Sequence, residues 1–238
     1  MTGTSVHQKV SGLLIVAGSL VFVYGGAFHP HINSSLGVLG SPEFFQNFYM
    51  HIAHHGSWEL IHGMILAGPV LWLLGVGPFW SGRSGWTSMA TTATTLAATA
   101  WAVAFIFDGF VAPGIVRRLT PETGWQQLAA NQDVVIRLGL VSWLALGFAM
   151  VAGSIGTLIS DRSRSARVLA WFGVALGVWP FVAWVTGTFL PGPFTSRYWN
   201  VTAVSTAFWF FAVGVSLLFS AARMERRSGD APSVGPAS

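Results

Sequence analysis

Residues 58–77, WELIHGMILAGPVLWLLGVG, decide the fold. The one acid and the one histidine, Glu59 and His62, fall within the first five positions, and everything after them is apolar, glycine or proline. As a helix such a run rises about 30 Å at roughly 1.5 Å per residue, the thickness of a bilayer's hydrocarbon core, and a helix satisfies its own backbone there. Working outward, five more runs of this kind occupy about 10–28, 88–112, 133–159, 167–190 and 200–222. The chain of 238 residues, 53% hydrophobic and 8% charged, therefore reads as an all-α polytopic membrane protein. Its six-transmembrane-helix bundle forms a single domain over 1–222. Residues 223–238, with the run SGDAPSVGPAS rich in Pro, Gly and Ser, read as a disordered cytoplasmic tail.

The first run carries only Lys9 among basic residues ahead of it and continues into GGAFHPH without a small-x-small cleavage site, so it is expected to be a retained span. With both termini cytoplasmic, the inner segments hold Lys9, Arg83, Arg162, Arg164, Arg167, Arg223, Arg226 and Arg227, and the outer loops hold Arg117, Arg118 and Arg197. Eight against three follows the positive-inside rule for a plasma (cell inner) membrane. The net charge of +4 is thereby read as topology, with no nucleic acid as partner. No cysteine is present, which removes disulfides, thiolate metal sites and cysteine nucleophiles.

Six of the seven histidines, His29, His31, His51, His54, His55 and His62, lie between residues 29 and 62, around the first outer loop. Within it SPEFFQNFYMHIAHHG is expected to form a short helix, with Ser41 as N-cap, Pro42 at the first helical position and Gly56 as a stop. Its Phe44, Phe45, Phe48 and Tyr49 suit a helix lying at the membrane interface. Ser57 then caps a new helix from Trp58. An unbroken helix from 42 to 77 would be about 54 Å long, well beyond the membrane. A second interfacial helix is expected in the outer loop 113–132, starting at Thr120-Pro121. YGGAFHP, DGFVAPG and TGTFLPGP end the three outward spans alike, which reads as helices stopping or unwinding at one level. The Ala/Thr-rich TSMATTATTLAATA predicts close helix packing, and Trp179-Pro180 a kink.

HIAHH offers two or three imidazoles to a metal within about one helical turn, so His31, His51, His54, His55 and His62 are candidate ligands for iron, copper or zinc. The box resembles one element of the membrane di-iron desaturases and hydroxylases over five residues, but those enzymes need further histidine boxes and no histidine follows His62. His29 and His62, at the ends of neighbouring spans, are alternatively candidate axial ligands of a haem b. Three acids fall in or beside spans. Asp133 precedes Arg137 by four residues, the order of a helical ion pair. Glu59 and Asp108 have no such local partner and are candidate catalytic residues, ligands or proton carriers. Trp80, Trp86, Trp125 and Trp199 suit interfacial belts, while Trp101, Trp171, Trp179, Trp184 and Trp209 suit helix packing or an apolar pocket.

These features point to a metal- or haem-binding membrane protein with a His/carboxylate site at the outer face, working as an oxidoreductase on a lipophilic small-molecule substrate in contact with membrane lipid. One alternative is a metal-free acid/base enzyme acting on an isoprenoid or lipid. On Trp58-Glu59 the chain is faintly similar to integral-membrane terpene cyclases, although no acid occurs in the last span. Another alternative is an accessory subunit packed against a membrane-protein partner. A transporter is disfavoured because the inner halves of the spans are almost wholly apolar.

Overall fold

A computed structural model describes residues 3–29, 36, 41–80, 84–161, 163–189 and 194–229. In chain order the helices are α1 (Gly3–Phe28), α2 (Pro42–His54), α3 (Trp58–Trp80) and α4 (Gly85–Ile106), which runs through a π-helical turn (Phe107–Val111) into α5 (Ala112–Arg118). They are followed by α6 (Pro121–Ser160), α7 (Arg164–Leu176), α8 (Val178–Phe189) and α9 (Phe194–Gly229). No strand occurs among the described residues. Six stretches are long and apolar enough to cross a membrane: Val6–Phe28, Trp58–Gly77, Gly85–Arg118, Pro121–Ser160, Arg164–Phe189 and Asn200–Arg226. This makes the chain a multi-pass membrane protein by length and composition.

Small residues set the helix spacing. A Cβ added to Gly18 would lie 2.8 Å from the Gly68 carbonyl oxygen, and one on Gly12 would lie 2.8 Å from that of Gly214. Hence α1 rests backbone to backbone on both α3 and α9. Opposite, α4 buries Ala90, Ala93, Ala97, Ala98 and Ala104 together with Thr87 and Thr94, and Gly156 of α6 leaves room for the Thr87 methyl. The Thr94 hydroxyl, with no water to meet, donates to the Ala90 carbonyl at 2.8 Å. Between these layers lies an aromatic core that includes Trp72, Trp80, Trp101, Trp143, Trp209 and Phe210. Trp80 is thus a core residue and not a belt residue, since α6 presents Gly153 beneath its ring. Trp171 and Trp179 face outward.

Several boundaries differ from expectation. Pro121 does start a helix, but that helix is continuous to Ser160, so there is no separate interfacial helix before the fourth span. The break in the fifth span falls at Gly177, because Pro180 has no N–H and its ring crowds the carbonyl four residues earlier, at Leu176. α9 continues to Gly229, past the expected end of the sixth span at 222, while 230–238 lie outside the described residues.

The loop between α1 and α3 is bent as expected. Ser41 Oγ accepts the Phe44 N–H at 3.1 Å, Pro42 opens α2, and the chain turns at His55–Ser57 before α3. The aromatic face of α2 does not meet lipid, however. Phe44, Phe45, Phe48, Tyr49 and Ile52 form a second core with Trp58, Ala112 and Leu128, and the Tyr49 hydroxyl reaches the carbonyls of Val116 (2.7 Å) and Leu119. α2 is therefore a docked roof over one end of the bundle.

Candidate metal centre

Three side chains meet beneath that roof. His29 follows the last residue of α1, His62 stands on the second turn of α3, and Asp108 sits in the π-helical turn. His62 Nε2 lies 3.2 Å from His29 Nε2 and 3.1 Å from Asp108 Oδ2. Their ligand atoms all fall within 4.8 Å of one another. His62 is completely buried and Asp108 is 8% exposed.

The π turn presents Asp108 by a backbone route. In it the Ala112 N–H bonds to the Phe107 carbonyl, five residues back, and Pro113 has no N–H to donate. The Asp108 carbonyl is thereby left without a helical partner, and the Trp58 indole N–H takes it at 2.8 Å. Asn131 Nδ2 supports the Phe107 carbonyl at 3.1 Å. Gly109 is required by close approach, since a Cβ there would stand 2.5 Å from His62 Cβ.

The hydrogen bonds fix the chemistry of the group. His62 Nδ1 is 2.7 Å from the Trp58 carbonyl oxygen, which can only accept, so Nδ1 carries the proton. Its Nε2 faces a carboxylate oxygen at 3.1 Å and the His29 Nε2 at 3.2 Å. A lone pair there is met by an N–H from His29 or by a metal ion, and a proton there donates to Asp108. The other Asp108 oxygen, Oδ1, accepts from Gln132 Nε2 at 2.6 Å. Both inner ligands are thus oriented by an outer hydrogen bond, as metal-binding imidazoles and carboxylates generally are. Two ligands at about 2.0–2.1 Å from one ion in a tetrahedral arrangement stand about 3.3–3.4 Å apart, close to the 3.2 and 3.1 Å found here. The group can hold a metal ion.

Haem fits poorly. Axial nitrogens on opposite sides of a haem iron stand roughly 4 Å apart with the macrocycle between them. Here the two nitrogens are 3.2 Å apart, Trp58 stacks on His62 at 4.5 Å between ring centroids, and Phe105 packs on it at 5.9 Å. No porphyrin plane passes between them.

The remaining sequence candidates lie elsewhere. Glu59 is exposed and pairs with Arg117 at 2.7 Å, whereas Asp108, the acid it was expected to work with, is buried. An exposed pair is worth only about 0–1 kcal/mol. Glu59→Gln is accordingly expected to leave both thermal stability and metal content near wild type, as read by thermal denaturation and elemental analysis in detergent. Asp133 and Arg137 form the expected exposed ion pair at 2.8 Å. His54 is exposed and bonds its own helix at the Met50 carbonyl. His31 lies outside the described residues. His51 and His55 stand one turn apart beside Trp58. Burial, and secondarily His55, hold the His51 imidazole below its ordinary range. The stability His51 lends is therefore present above the ordinary histidine value and lost as the pH falls through the lowered one.

Gln132 and Asn131 were not legible as site residues. Both are neutral amides in the polar run QQLAANQ, and only the continuity of α6 brings them under α4. Gln132→Leu removes the donor to Asp108 Oδ1 and is expected to weaken metal binding about 10- to 100-fold, measured by competition with a chelator.

Comparison with protein-family models, curated proteins and solved structures finds no match.

Proposed function

We propose that this chain is an integral-membrane metal protein in which His29, His62 and Asp108 hold one transition-metal ion near the outer membrane face. The observation that carries the reading is the convergence at His62: its Nδ1 donates to the Trp58 carbonyl while its Nε2 faces Asp108 and His29. Two imidazoles and one carboxylate are the donor set of mononuclear non-haem ferrous sites, and three protein ligands also suit catalytic zinc. Bound iron would supply a redox couple with positions open to exchangeable ligands, and this supports an oxidoreductase acting on a lipophilic molecule arriving from the bilayer. The chain's own part is to hold the three donors under the α2 roof, to keep the His62 proton on Nδ1, and to limit water at a fully buried imidazole.

The outer placement rests on charge. Arg117 and Arg118 lie at the site end, whereas Lys9, Arg164, Arg167, Arg223 and Arg226 lie at the opposite end, and under the positive-inside rule this supports a site facing outward with both termini on the cytoplasmic side.

The test is purification in mild detergent without added metal, followed by elemental analysis for Fe, Cu, Zn and Mn and a visible spectrum. At least one ion per chain is expected, with the ion of this site lost in His62→Gln and in Asp108→Asn. A metal-free protein that takes up no ion on reconstitution overturns the reading. The proton then becomes the occupant, and His62–Asp108 becomes an acid/base pair.

A further inference from the structure

A second group of imidazoles lies beside the first. His51, in the last turn of α2, and His55, at its C-cap, are four residues apart with ring centroids separated by 5.9 Å. His51 Nε2 and His55 Nδ1 are both shielded from solvent and neither has a hydrogen-bond partner among the described residues. Leaving two imidazole nitrogens dry and unpaired is costly, because each has given up its hydrogen bond to water without a replacement. An N–H pointed at an aromatic face recovers only a little of that. The two rings meet Trp58 almost at right angles, 85° for His51 at 6.2 Å and 81° for His55 at 5.9 Å, while His62 stacks on the same indole at 24°. His29 lies 6.2 Å from it. Four histidines thus surround one tryptophan, and only two of them belong to the buried triad.

We infer that His51 and His55 form a second transition-metal site, a two-imidazole site of the outer roof that is separate from the His29/His62/Asp108 group. Two histidines one helical turn apart can reach one ion without backbone rearrangement, given N–metal bonds of roughly 2.0–2.1 Å. A pair of imidazoles with no protein carboxylate selects borderline divalent ions, copper and zinc foremost, with water or a small anion completing the shell. Trp58 takes part in both groups: its indole N–H holds the Asp108 carbonyl and its ring packs against His51 and His55.

The experiment is equilibrium titration of the metal-stripped, full-length protein in detergent with Zn²⁺, in parallel with Cu²⁺ followed by electron paramagnetic resonance. Two ions per wild-type chain are expected, falling to one in His51→Gln/His55→Gln, with the ion retained by that variant lost when Asp108→Asn is added. The unmutated protein should give two distinguishable copper signals, a readout that does not depend on any variant folding. A single ion that disappears with Asp108→Asn and ignores the His51/His55 change overturns the second site and leaves the inner one standing. A single ion lost only with His51 and His55 supports the second site and removes the inner reading. Loss of both ions in a correctly folded His51→Gln/His55→Gln protein overturns two separate sites, and no binding at all overturns both.

Discussion

His62→Leu is expected to cost the protein about 3–5 kcal/mol of stability, the largest effect of any single change at the site. Removing the imidazole takes the 3.1 Å partner from the buried Asp108 carboxylate and leaves it Gln132 and His29, and a buried charge that loses its partner carries a penalty of that order. The companion variant His62→Leu/Asp108→Leu removes both partners and should recover most of the loss, because replacing a buried polar or ionic pair by apolar groups of similar volume is often neutral. The comparison is made by unfolding in mixed micelles, with metal content measured on the same samples. Equal losses in the single and double variants would show that the pair is not coupled, and the electrostatic account of the site would fail.

Gly109→Ala leaves every ligand in place and is still expected to disrupt the centre. The added methyl carbon would stand 2.5 Å from His62 Cβ, and neither neighbour is the far end of a flexible chain: one is the backbone of the π turn, the other the root of the imidazole. Overpacking of this kind costs about 1–3 kcal/mol, and the strain moves α3 and the π turn apart along the His62–Asp108 line. The measurable outcome is a lower unfolding midpoint together with weakened metal retention against a chelator. Unchanged retention would mean that the 3.1 Å His62–Asp108 separation is not needed for the ion.

How far these residues could be found from sequence depends on what kind of signal each emits. The spans were legible because a run such as 58–77 has one physical explanation, and His29, His62 and Asp108 were legible because titratable groups are rare in so apolar a chain. Glu59 gave the same signal, yet it opens α3 at an exposed position where Arg117 reaches it, and one helical turn separates such a place from a buried one. The π turn was foreshadowed only by DGFVAPG, whose glycine and proline mark irregular backbone without saying which carbonyl is freed. Gln132 emitted nothing, since an amide among other amides is expected in a loop. The face of α2 was misread for a related reason: Phe44, Phe45, Phe48 and Tyr49 are equally at home against lipid or against Leu128, and only tertiary packing chooses.

The unbroken course of α6 also serves as a depth gauge. Its uncharged part begins at Leu138 and runs to Ser160, with residues 138–159 making about 33 Å of helix at roughly 1.5 Å per residue, which matches a hydrocarbon slab of about 30 Å. Gln132 precedes Leu138 by six residues, about 9 Å of rise, and the exposed Asp133–Arg137 pair fills the interval. Gln132 in turn fixes the level of Asp108 through a 2.6 Å contact. With that stretch of α6 set across the hydrocarbon slab, the carboxylate would fall at the headgroup level, where a charge costs far less than at the midplane, and its burial there would come from the surrounding protein more than from lipid. Unroofing would admit water to the acid without moving it through the membrane at all.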